Sequence, residues 1–113
     1  MSQTIRVRDY TLFPGPRYIR LGPFSGEWFR KEVLEPEIKH HQGAIEVDLD
    51  GALGYGSSFL DESFAGLLRA GYSVDIVNSI VSNLVSKEDP TLLDEIKIYV
   101  EEELVRQRNL KRE

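Results

Sequence analysis

The sequence contains no cysteine. That excludes disulfides, thiolate nucleophiles and cysteine-based zinc sites, and it fits a reducing cytosol. Histidine is confined to the neighbours His40 and His41. Adjacent residues on a helix point about 100° apart, so these two make a poor ligand pair for one metal. They read as helix-end residues that complement the dipole. No apolar run approaches the roughly 18–20 residues of a membrane-spanning helix, and no signal-peptide pattern opens the chain. The expected location is cytoplasmic, away from membranes. Cations are in the minority, with 14 Lys and Arg against 19 Asp and Glu and a net charge of −5. Phosphate contacts need clustered Lys and Arg, so a nucleic-acid partner is disfavoured. The cations do gather early, at Arg6, Arg8, Arg17, Arg20, Arg30 and Lys31 with Lys39 nearby, which leaves a local basic face.

What is present is ordinary for one domain of 113 residues: 41% hydrophobic and 29% charged residues build a single core without staples. Ile5-Arg6-Val7-Arg8 alternates as a half-buried strand does. Phe13-Pro14-Gly15-Pro16 then breaks regular structure, and Tyr18-Ile19-Arg20-Leu21 forms a second strand, giving a hairpin with a wide connection. Ser25 caps a helix over 26–35, which Pro36 bends or ends. Ala44 to Asp50 is the clearest strand, with Ile45, Val47 and Leu49 on one face and Glu46, Asp48 and Asp50 on the other. A helix starts at Ser58, paired with Asp61 in the manner of a capping box. It buries Leu60, Phe64, Leu67 and Leu68, and Gly71 stops it. Residues 74–86 suit either element by spacing, and their β-branched content favours a strand at 80–85. Pro90 opens a last helix, with a charged, fraying tail from about 106. The order ββαβαβα predicts an α/β fold: a small mixed sheet of about four strands packed against three helices.

The stretch from Asp48 to Glu62 carries most chemical information. A strand end, the glycines Gly51, Gly54 and Gly56, and a helix start follow one another. Such a junction presents backbone N–H groups and a helix dipole to whatever docks there. A P-loop is absent, because no Gly-Lys-Ser or Gly-Lys-Thr follows and no lysine lies between Lys39 and Lys87. Gly54-Tyr55-Gly56 also lacks the third glycine of a dinucleotide fingerprint. The plain reading is a turn that ends in a serine cap. Asp48, Asp50, Asp61 and Glu62 could meet around magnesium, though clustered acids more often form a solvated rim, so no metal or other cofactor is assigned. Tyr55 is either an exposed contact anchor or folded back on the sheet. No nucleophile, base and orienting group occur together, so the chain is not expected to be an enzyme by itself.

Pro14-Gly15-Pro16-Arg17, Ser25-Gly26-Glu27-Trp28-Phe29-Arg30, Asp48-Leu49-Asp50-Gly51, Gly56-Ser57-Ser58-Phe59-Leu60-Asp61-Glu62 and Leu93-Asp94-Glu95-Ile96 together resemble the bacterial STAS-like domain of unknown function family over residues 5–100. The resemblance implies a fold similar to STAS anti-sigma-factor antagonists. In those, a serine in the strand–loop–helix junction is phosphorylated by a GHKL-type kinase, which breaks their complex. By that likeness Ser57 or Ser58 becomes the candidate phosphoacceptor. The pair is preceded here by Gly56 instead of aspartate and followed by Phe59-Leu60 instead of Gly-Leu-Gly.

The leading expectation is a regulatory protein-interaction module, a switch partner of a GHKL-type ATPase, contacting it through Asp50, Gly54, Tyr55, Gly56, Ser57, Ser58, Asp61 and Glu62. A second is a nucleotide or small-anion sensor at the loop from Gly51 to Ser58, with Arg17 or Arg30 neutralising the ligand. A third is an accessory role in a toxin–antitoxin or defence-type system, using the basic amino-terminal third.

Overall fold

The computed structural model describes residues 3–111. Three parallel strands form one sheet in the order β1-β2-β3: Gln3–Arg6 (β1), Ile45–Asp48 (β2) and Leu84–Val85 (β3). Ile5 lies opposite Val47, and Val47 opposite Leu84. The central strand is the most apolar one, with Ile45, Val47 and the following Leu49 all buried. Parallel neighbours need long crossovers, and helices supply them. The first crossover is α1, a continuous run of Gly26–Phe29, a π-helical Arg30–Leu34 and Glu35–His41. The second contains α2 and α3. Helix α2 runs through Ser57–Leu60, a π-helical Asp61–Ala65 and Gly66–Arg69, and α3 is Val74–Ser82. After β3, α4 covers Thr91–Lys111 and packs on α2. One apolar cluster joins the layers, with Phe29, Leu34, Phe59, Phe64 and Ile96 at full burial.

Several local readings hold for the reasons that suggested them. The Ser25 hydroxyl accepts from the Trp28 amide at 3.0 Å, as a cap does. Gly71 takes a φ of +99°, and the Gly71 and Tyr72 amides donate to Leu68 and Leu67 at the end of α2. Asp89 accepts from the Thr91 amide at 3.2 Å, and Pro90 stands immediately before α4, where its missing amide costs no helical bond.

Among the described residues the sheet has three strands, not four, and the helices number four, not three. Tyr18-Ile19-Arg20-Leu21 is no strand: Ile19–Leu21 is a 3-10 turn. Its donors are consumed locally, since the Ile19 amide donates to Glu27 Oε1 at 2.9 Å and the Leu21 amide to the Tyr18 carbonyl at 2.9 Å. No ladder partner can use them. The strand expected at 80–85 shrinks to Leu84–Val85, because α3 extends to Ser82. The Ser73 hydroxyl caps α3 by accepting from the Ile76 amide at 3.2 Å. Val77, Ile80 and Val81 then reach the core at helical spacing, and packing outweighs β-branched propensity.

Pro36 does not end α1. In the turn before it the Glu35 amide donates to the Arg30 carbonyl, five residues back. That widened turn accommodates a ring that lacks a donor and would crowd the carbonyl four residues before it. The tail from 106 is helical through Lys111. Glu103 on the buried side of α4 fastens its first turn by accepting from Arg106 and Gln107.

Candidate functional site

The site grows from the carboxyl end of β2. The Leu49 amide donates to the Val85 carbonyl at 2.8 Å, so the sheet pairing reaches one residue into the loop. Arg8 NH1 then bridges Asp48 Oδ2 and the Asp50 carbonyl, each at 3.0 Å. The Asp50 carboxylate accepts from the Glu88 and Lys87 amides at 2.9 and 3.0 Å. The Glu88 amide is the main reason its pKa lies below the usual aspartate value. Gly51 turns with a φ of +90°, and a Cβ there would stand 2.5 Å from Arg8 Cδ. This glycine is required both by conformation and by space.

Tyr55 folds back. Its hydroxyl donates to the Leu49 carbonyl at 2.7 Å and its ring packs on Phe59. Burial, then the nearby Asp48 and Asp50, push its phenol pKa far up. Of the two readings open for Tyr55, exposed contact anchor or folded back on the sheet, the second holds, and the residue pins the loop. The exposed large apolar residue of this loop is Leu53, at 70%, and Phe13 in the earlier loop is 69% exposed. A bond from the Leu53 amide to the Leu12 carbonyl, 2.8 Å long, holds the two loop tips together. Between the loop from 49 to 55 and residues 86–92 lies a cleft of about 290 Å³, bordered by Asp50, Tyr55, Ser86, Glu88 and Leu92.

Gly56, not Ser58, is the N-cap of α2, with φ −74° and ψ 147°. Ser57 and Ser58 are therefore the first two helical residues, and both are exposed. The expected Ser58–Asp61 capping pair is absent, because Asp61 is engaged by Arg17 NH1 at 2.6 Å. Nothing lies within 4 Å of where a Cβ on Gly54 or Gly56 would be, so packing does not require these glycines to be bare.

The acids do not gather as a metal site. Asp48 and Asp50 face Arg8 and the loop at 87–88, whereas Asp61 and Glu62 face arginines. Among the described residues no three His, Cys, Asp or Glu side chains converge on one point. His40 and His41 end α1, with His41 Nε2 3.4 Å from Glu37 Oε2.

Arg17 and Arg30, considered as anion contacts, are both committed to carboxylates. Arg30 is 8% exposed and donates to Glu35 at 2.5 Å and Glu62 at 3.1 Å. The chain of pairs continues through Arg69 to Glu62 and to Glu103, the latter at 2.9 Å, and from Glu103 to Arg106. Tyr72 donates to Glu35 at the other end. Glu62 and Glu103 are buried at 6% and 4% exposure. The sequence reading missed this network. Its one advance sign is Glu103 itself, an acid falling on the apolar stripe of Ile96 and Val100.

A family model described as a STAS-like domain of unknown function matches residues 25–82. The chain belongs to that family. The match starts at the Ser25 cap of α1 and ends with the last residue of α3, so it takes in β2, the glycine loop and α2. In this STAS-like domain β1, β3 and α4 lie outside the matched stretch. Comparison with curated proteins and with solved structures found no match. No described helix is long and apolar enough to cross a membrane.

Proposed function

We propose that this STAS-like domain is a cytoplasmic regulatory module that acts by binding a protein, with the start of α2 and the preceding loop as its contact face. In this reading it is a target of regulation and not itself a catalyst. The observation that carries the reading is the placement of Ser57 and Ser58: two exposed hydroxyls at the start of a helix. The exposed Leu53 and Phe13 add apolar contact area of the sort that anchors protein interfaces. The bare backbone at Gly54 and Gly56 permits close approach.

A GHKL-type ATPase is the partner class that the family likeness suggests. Phosphate on either serine would add about −1.5 to −2 charges beside Asp61 and Glu62, and would expel a surface fitted to a hydroxyl. The anion-sensor reading is weaker, since its nominated cations already hold carboxylates.

The test uses a GHKL-type ATPase from the same organism, sought first among the neighbouring genes. With nucleoside triphosphate, mass spectrometry should place phosphate on Ser57 or Ser58, and Ser58→Asp should weaken the complex tenfold or more. Leu53→Asp should weaken it equally while leaving the melting temperature unchanged. An unmodified protein whose binding ignores both substitutions would end the proposal.

A further inference from the structure

The geometry points to the outer face of α4 as a self-association site, on which the same face of a second copy of this chain docks antiparallel. Helix α4 is apolar on two sides. Leu92, Ile96 and Val100 face inward and are buried. Ile98 and Val105, seven residues apart and so nearly in line, are 54% and 39% exposed. With Glu101 and Glu102 they bound a shallow groove of about 320 Å³. Apolar residues at heptad spacing with charge on either side are the pattern of a helix that pairs with another helix.

The charges beside this line select the occupant. Successive helical residues turn by about 100°, so Glu101 and Arg108 lie on one rim and Glu102 and Asn109 on the other. All four are exposed. Among the described residues the ion pairs of α4 are made by Glu103, on the buried side, so the rims keep their charge for another molecule. A two-fold axis perpendicular to two antiparallel helices joins like rims in reversed order. With that axis at Val105, Val105 meets its own copy. Glu101, four residues before the axis, meets Arg108, three residues after it. On the other rim Glu102 meets Asn109. The contact is isologous, so each pair occurs twice. Parallel packing would instead join opposite rims in the same order and set Glu101 against Glu102. The pattern is thus self-complementary in one orientation and repulsive in the other.

The contact spans about three helical turns, less than a standard interface, so half-association falls at about 10–100 μM. Salt weakens it, because the rim pairs are open to solvent.

The experiment follows the mass of the full chain by sedimentation over a concentration series. The parent should pass from monomer to dimer. Glu101→Arg and Arg108→Glu each set like charges along a rim, and each alone should associate about tenfold more weakly. Mixed in equal amounts, the two variants should form a heterodimer with the parent's affinity, since every rim again joins acid to base. A loss of fold cannot produce that rescue. Crosslinking reads the orientation. The chain has no cysteine, so Val105→Cys introduces a single thiol. It should form an intermolecular disulfide under dissolved oxygen. Ile98→Cys should not, because its two thiols would stand about 21 Å apart along the helices. A chain that stays monomeric at every concentration would overturn the inference and leave this face to a different protein. Equal crosslinking at both positions, or a mixture no tighter than its components, would overturn it as well.

Discussion

The Tyr55 hydroxyl closes the loop onto the carbonyl of Leu49, where the β2 pairing ends. A neutral hydrogen bond of this kind contributes about 1 kcal/mol. Tyr55→Phe should therefore lower the urea midpoint by that equivalent with an unchanged m-value. Partner binding should persist, since the ring still packs on Phe59. A normal midpoint would mean that the loop does not depend on this bond. Gly51 is fixed just as firmly, by its left-handed φ and by the Arg8 stem. Leu53 and Gly56 carry no comparable structural duty, and both are left facing solvent. At this scale, Tyr55 and Gly51 hold the loop in place while Leu53 stays in solvent.

Helices α1 and α2 approach closely enough that two glycines are needed between them. A Cβ on Gly26 would stand 2.6 Å from the Phe59 carbonyl oxygen, and one on Gly66 would stand 2.9 Å from Arg30 Nε. Both helices carry a π-helical turn here, and these turns hold Arg30, Asp61 and Glu62. Gly26→Ala should cost about 1–3 kcal/mol, because the obstacle is backbone and cannot turn aside. Gly56→Ser is the contrasting change. Its N-cap φ suits serine and the space is open, so stability should hold or rise by a few tenths of a kcal/mol. Equilibrium unfolding of the two variants checks both. Equal losses would show that helix contact does not set the glycine requirement.

Among the described residues three charged side chains are buried, Arg30, Glu62 and Glu103, and all three belong to one ion-pair network. Four arginines, Arg17, Arg30, Arg69 and Arg106, interleave with Glu35, Asp61, Glu62 and Glu103 to join the loop before α1, both central helices and α4. Burial works against the Glu103 carboxylate, but hydrogen bonds from Arg106, Arg69 and Gln107 outweigh it, so its pKa lies below the usual glutamate value. A depressed folded value gives stability that is complete above the unfolded pKa and is lost as pH falls through the folded one. Melting temperature should therefore drop on acidification below the ordinary glutamate range. Glu103→Gln should be less stable than the parent at neutral pH, with the gap narrowing in acid. A gap independent of pH would assign Glu103 a packing role only.

The sequence alone determined the central strand, the Ser25 cap, the Gly71 stop and the apolar stripe of α2, because each depends on residues within a few positions of one another. It also placed two serines at the head of that helix, with the cap two positions away from its true place at Gly56. What it could not decide depended on partners distant in the chain. Tyr18-Ile19-Arg20-Leu21 has strand composition, but Glu27 takes its amide. Residues 74–82 suit either element until the core selects the helical face. Tyr55 had two equal readings until the carbonyl of Leu49 claimed its hydroxyl. The arginine–carboxylate network spans separations of up to 45 residues, from Arg17 to Glu62. Such pairs leave no periodic trace, because an ion pair requires proximity in space and sets no spacing along the chain.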